Sequence, residues 1–127
     1  MSLFDDAFTD AARTFADLFG DAGTYTIKAT STDVAVDLVV ESDDHRRVVE
    51  QGSTWDVYTL VGKVLKSKIS QPADGDLFYR SSDTDRIYKL TQTLVDGCDE
   101  NNWMIELQHR RAVSHGGTAV KPPLFNV

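Results

Sequence analysis

The apolar period of this chain changes once, at the glycines around position 20, and that change limits the fold more than any other feature. Before it, in "SLFDDAFTDAARTFADLFG", Phe4, Phe8, Ala11, Ala12, Phe15, Leu18 and Phe19 recur at three- and four-residue steps. That is the spacing of one helix face. Ser2 with Asp5 three residues later has the form of a capping box, and early acids suit the positive end of a helix. Gly20 is a stop signal. The spacing predicts a helix over residues 3–19, its phenylalanine stripe docked on the domain's own sheet or, in part, on a partner subunit.

From Gly23 the period is two. Tyr25, Ile27 and Ala29 alternate with polar residues, as do Val34, Val36, Leu38 and Val40, with "TSTD" as the turn between them. The segment "SDDHRRVVEQGST" (42–54) is polar and charged and reads as a loop. "WDVYTLVGKVLKSKI" opens as a strand and runs into a Lys-rich stretch that is strand or short helix. "SQPADGD" is turn chemistry, and "DLFYR" is a short strand. "RIYKLTQTLV", "DGCDENN" and "WMIELQHR" form strand, turn and strand, with Trp103, Ile105 and Leu107 on one side. No helix lies between strands to carry a parallel crossover. The predicted class is mainly β with an N-terminal helix (α+β): six or seven short strands in a small antiparallel β-barrel or sandwich. Residues 1–110 form one domain. Residues 111–127, with a Gly pair, a Pro pair and no sustained period, read as a flexible C-terminal arm.

Twenty acidic against thirteen basic residues give a net charge of −7. A surface of that sign repels phosphate, which argues against sequence-specific nucleic-acid binding. One cysteine cannot close an internal disulfide, as suits a reducing compartment. No apolar run approaches the roughly 20 residues of a membrane helix. The opening "MSLFDD" carries acids where a signal peptide carries Lys or Arg. The expectation is no membrane association and residence in the cell that makes the chain.

Cys98 stands among Asp96, Asp99 and Glu100, which oppose thiolate formation, so it reads as scaffold even if His109 comes near. Asp43, Asp44 and His45 adjoin two arginines that a metal ion would oppose. "DGCDENN" lacks the spaced acids of an EF-hand loop. There is no HExxH, no CxxC and no phosphate-cradling glycine motif. The expectation is no catalytic residue, no metal and no cofactor. Two stretches suggest partner binding instead. His45, Arg46, Arg47, Val48 and Val49 combine charge with apolar side chains in the expected loop. The arm offers Arg111, Lys121, Pro122, Pro123, Leu124 and Phe125, positively charged with no acids and suited to ordering on an acidic neighbour.

Three stretches carry a family resemblance. They are "LFDDAFTDAARTFADLF" entering "GTYTIKA"; "VAVDLVVESDD" running on to "VVEQGSTWDVYTL"; and "ADGDLFYR" followed by "DRIYKLTQTLVDGCDENNWMIELQHR". Together, over about residues 3–110, they resemble the small head–tail joining (attachment, connector) proteins of long-tailed phages and prophages. The resemblance implies a structural protein of the virion, present in host cytoplasm during assembly and without catalytic residues. Its partners would be other head-connector and tail proteins, and its copies would form an oligomeric ring in which many weak contacts add to a tight assembly. Two other readings stay open from the residues alone. One is a small β-barrel module for a peptide or small ligand; the other is a small hydrolase using Asp or Glu with His45 or His109.

Overall fold

A computed structural model describes residues 3–113, with the side chains of residues 3–9 and of Asp17 outside that description. The chain opens with the helix α1 (Leu3–Phe19) and continues in six strands: β1 (Asp21–Ile27), β2 (Thr32–Glu50), β3 (Ser53–Leu65), β4 (Leu77–Arg80), β5 (Asp83–Thr93) and β6 (Asn102–Ala112). All pairings are antiparallel, and the order β1-β2-β3-β6-β5-β4 closes when β4 pairs back on β1. The predicted class therefore holds, as one sheet closed in a ring rather than two facing sheets.

Residues 42–54 are not a loop. They are the end of β2, a two-residue turn and the start of β3, within one long hairpin. The turn residues Gln51 and Gly52 have φ of 52° and 81°. Positive φ at both central positions is what a tight, twist-matched hairpin turn requires. The charges that suggested a solvated loop instead alternate between two faces and pair across strands.

The Lys-rich stretch is also resolved: β3 ends at Leu65, and residues 66–76 connect it to β4. The arm boundary moves as well. Arg111 and Ala112 belong to β6, and the amide of Val113 donates to the carbonyl of Thr54 at 2.9 Å. Lys121, Pro122, Pro123, Leu124 and Phe125 lie outside the described residues.

The register of β2 against β3 slips between Val40 and Ser42, and Gly62 lies opposite. A Cβ on Gly62 would stand 2.8 Å from the carbonyl oxygen of Val39 and 2.9 Å from Leu38 Cγ, so this close approach requires glycine. Such a bulge changes which face later residues present. Before it Val36 and Leu38 are buried in the core; after it Asp43, His45 and Arg47 stand opposite Leu60, Tyr58 and Asp56. One extra residue thus gives a single strand an apolar half and a charged half.

Tyr25, Val36, Leu38, Leu60, Phe78, Tyr88, Leu90, Ile105 and Leu107 form the core, each at most 4% exposed. Burial of this kind is worth roughly 1.5–3 kcal/mol per large apolar side chain. At one end of the ring the 66–76 connection folds over them. Ile69 is 1% exposed, and its carbonyl accepts from Trp103 Nε1 at 2.8 Å. Asp76 is wholly buried there and accepts from the Tyr25 hydroxyl at 2.5 Å, the Lys28 amide at 3.0 Å and the Ala73 amide at 2.9 Å.

The stripe of α1 docks only in part. Ala16 is buried, whereas Phe15, Leu18 and Phe19 are 52%, 71% and 64% exposed. The close approach is made by small residues. A Cβ on Gly20 would lie 2.7 Å from Asp37 Cβ, and the Gly20 amide caps the Ala16 carbonyl at 2.8 Å. With alanine and glycine against the sheet, Phe15 and Phe19 turn toward each other, their ring centroids 4.7 Å apart. Phe15→Ala is therefore expected to change stability by less than about 1 kcal/mol in urea unfolding. A loss of roughly 3 kcal/mol or more, the range of a fully buried phenylalanine, would contradict the exposed placement.

Candidate functional site

The ladder between β1 and β2 stops at Asp21 opposite Leu38, and that between β5 and β6 stops at Lys89 opposite Gln108. The β2–β3 and β3–β6 ladders continue to Glu50 opposite Ser53 and Trp55 opposite Ala112. Three strands therefore run on past the ring as a ribbon. Its β2 edge, residues 39–50, is paired on one side only.

The inner face of the ribbon is built in rungs. Arg47, Asp56 and Arg111 are direct cross-strand neighbours, as are His45, Tyr58 and His109 one step nearer the ring. Cross-strand pairs of this kind are the unit of sheet stabilisation. Asp56 is 3% exposed, and its carboxylate accepts from Arg47 Nε at 3.0 Å and Arg111 at 3.1 Å, with His45 Nε2 at 3.3 Å. Hydrogen bonds from Arg47 and then Arg111 hold this carboxyl well below the usual carboxylate range, against the opposing effect of burial.

On the next rung the His45 and Tyr58 rings are parallel with centroids 4.2 Å apart, and the Arg86 guanidinium stands 3.9 Å from the Tyr58 centroid. Two groups so close to one ring must occupy its opposite faces. Tyr58 is thus clamped between a β2 histidine and a β5 arginine, with His109 tilted at 5.8 Å.

Side chains also bridge the places where the ladders lapse. His109 Nδ1 donates to the Ile87 carbonyl at 2.8 Å, tying β6 to β5. Arg80 on β4 reaches Asp43 on β2 at 3.0 Å and Asp21 on β1 at 3.2 Å. The base of the ribbon is consequently tied to the ring by the charge-assisted Arg80–Asp43 hydrogen bond, the Arg80–Asp21 ion pair and the His109–Ile87 hydrogen bond.

Of the residues singled out from sequence, the structure brings His45, Arg47 and Arg111 together on Asp56. Arg46 faces the other way and pairs with Asp44 at 3.0 Å. Val48 is partly buried opposite Trp55, and Val49 is 73% exposed beside the turn. Asp56, Tyr58 and Arg86 were missed. Parity counted outward from Gly52 would have found the first two, since it sets Asp56 opposite Arg47 and Tyr58 opposite His45. Cys98 accepts the Met104 amide at 3.2 Å near the start of β6, whereas His109 lies toward the other end of that strand.

Among the described residues no group of three or more His, Cys, Asp or Glu side chains is placed to hold a metal ion, and no helix is long and apolar enough to cross a membrane. No protein-family model matches the chain, and no curated protein matches it.

Proposed function

We propose that this chain is a structural connector of a tailed phage or prophage, joining the DNA-filled head to the tail by assembling into a ring with further copies and with other head-connector and tail proteins. The observation that carries the reading is the ribbon. A compact ring of strands extends a stiff three-stranded projection with one long edge unpaired and an apolar residue, Val49, bare beside its turn. Exposed strand edges are surfaces on which another chain can pair. Repetition around a ring would then multiply modest contacts into a tight joint. A ligand-binding module would need room inside the ring, where Tyr25, Phe78, Tyr88 and the core leucines already stand. The sequence resemblance points the same way.

The genetic test is direct. Deleting the gene from its resident phage genome should leave filled heads and free tails that do not join, as counted by electron microscopy. The wild-type gene should restore joined particles, and Val49→Asp should restore roughly a hundredfold fewer, because a charge placed in a repeated contact is penalised at every copy. Normal joined particles from the deletion strain would end this reading.

A further inference from the structure

Past its bulge, strand β2 is an open edge, and the charges along it are antisymmetric about His45. The Val113 amide donates to the Thr54 carbonyl at 2.9 Å, so Thr54, Asp56 and Tyr58 turn their main-chain groups toward β6. Ser53, Trp55, Val57 and Thr59 then face β2, where they stand opposite Glu50, Val48, Arg46 and Asp44. The alternate residues of β2, Asp43, His45, Arg47 and Val49, therefore aim their amides and carbonyls away from β3. Among the described residues no strand meets them there. Asp43 and Asp44 precede His45, and Arg46 and Arg47 follow it.

We infer that this edge is the docking surface for a second copy of the chain, β2 against β2 and antiparallel, with the two-fold axis at His45. A two-fold contact brings the same patch of both copies together. About His45, Asp44 of one copy falls opposite Arg46 of the other, and Asp43 opposite Arg47, each pairing occurring twice. Opposite charges directly across a sheet stabilise it, and like charges oppose it. Main-chain geometry allows only registers that bring outward-facing residues together, which differ by steps of two. One step to one side sets Arg46 on Arg46; one step to the other sets Asp44 on Asp44. The charges thus admit one register and reject its neighbours.

The side chains are placed for this contact. Asp44 and Arg46 share the outer face, joined at 3.0 Å, and each meets the opposite charge again across the edge. On the inner face Arg47 reaches Asp56 through Nε at 3.0 Å, and Asp43 accepts from Arg80 at 3.0 Å. Pairing extends the row Arg111, Asp56 and Arg47 of one copy to Asp43 and Arg80 of the other. Hydrogen-bonded rungs at positions 43, 45 and 47 supply about six main-chain bonds. An open edge otherwise templates aggregation. A two-fold pair closes on itself and leaves this edge to no third copy. The inference concerns the free chain and does not rest on the connector reading; in a ring the edge would change partners.

A contact this small is weak, so the full chain is tested at about 100 μM by sedimentation equilibrium. The wild type should show twice the mass of one chain. Asp44→Lys and Arg46→Glu should each sediment as single chains, because each sets like charges opposite one another. An equimolar mixture of the two variants should regain the double mass, which also shows that both are folded. In the mixed pair the new lysine faces the new glutamate, and the remaining Arg46 faces the remaining Asp44. With Cys98→Ser as background, His45→Cys should form an interchain disulfide roughly tenfold faster than Val49→Cys. The two 45 positions would lie about 5.5 Å apart, within disulfide reach, and the two 49 positions roughly 26 Å apart. A wild type of single-chain mass would overturn the inference. So would association that both single variants keep, a mixture that stays at the single mass, or equal cross-linking at the two positions.

Discussion

Asp76→Ala is expected to cost roughly 3–5 kcal/mol of stability, because it takes the shared acceptor from three hydrogen-bond donors at once. The carboxylate has no solvent exposure, and its three donors come from separate places: the Tyr25 hydroxyl on β1, the Lys28 amide just past β1, and the Ala73 amide in the 66–76 connection. The Asp76 carbonyl also accepts the Leu90 amide at 2.8 Å, so the residue is fixed at both ends. Alanine would leave the buried Tyr25 phenol and two part-buried amides without their acceptor, at about 1–3 kcal/mol for the phenol and less for each amide. Domains have only about 5–15 kcal/mol in hand, so the midpoint of thermal unfolding should fall by roughly 10–20 °C. Tyr25→Phe removes one donor and should cost about 1–2 kcal/mol. An Asp76→Ala midpoint within about 3 °C of wild type would refute the account, since that is under 1 kcal/mol for a domain this size.

The same contact gives an alkaline signature. Burial first, and then the Asp76 hydrogen bond and charge, push the Tyr25 phenol above its ordinary range. A phenol whose value is raised on folding favours the folded state below its unfolded value of about 10, and that contribution is lost as pH rises beyond it. Unfolding in base should therefore be less steep in Tyr25→Phe.

How much of this was legible in the sequence depends on which signal a residue carried. Trp103, Ile105 and Leu107 alternate cleanly with polar neighbours, and β6 formed where that pattern placed it. Residues 42–54 carried two conflicting signals. Their composition is that of a solvated loop, and Gln-Gly is a weaker hairpin mark than Asn-Gly or Asp-Gly. Only Val48–Val49 and Thr54–Trp55, β-branched or aromatic residues on either side of Gly52, betrayed the strands. Once the loop was assumed, Asp56 and Tyr58 could not be matched to Arg47 and His45, because cross-strand partners exist only in a known register. Phe15 failed for a different reason. Helical periodicity finds a stripe but not its rotation, and Ala16 with Gly20, smaller than any phenylalanine, claimed the contact. Asp76 looked like one more turn residue in "SQPADGD". Its burial follows from where β1 and the 66–76 connection meet, which no local pattern encodes.

Asp56→Ala is expected to loosen the ribbon while leaving the ring intact. The carboxylate holds both outer strands to the central one, through Arg47 on β2 and Arg111 on β6, and both bonds are charge-assisted. Without it two guanidinium groups face each other across β3 with nothing between them. Amides near the turn, at Val48, Trp55 and Arg111, should then exchange with solvent on the order of a hundredfold faster, because local opening no longer has to break those bonds. Amides of Leu60, Ile105 and Leu107 in the core should change little. Asp56→Asn should fall between the two, since it keeps the shape and loses the charge. The pH dependence has a fixed sign. A carboxyl depressed on folding contributes fully above its unfolded value of about 3.9 and loses that contribution as pH falls toward its folded value. Wild-type ribbon amides should therefore stay protected through the neutral range and open only in strong acid, whereas Asp56→Ala should be open throughout. A change of less than twofold at these amides would mean that the backbone ladder alone holds the ribbon. The inner-face rungs would then have no part in presenting it to a neighbour.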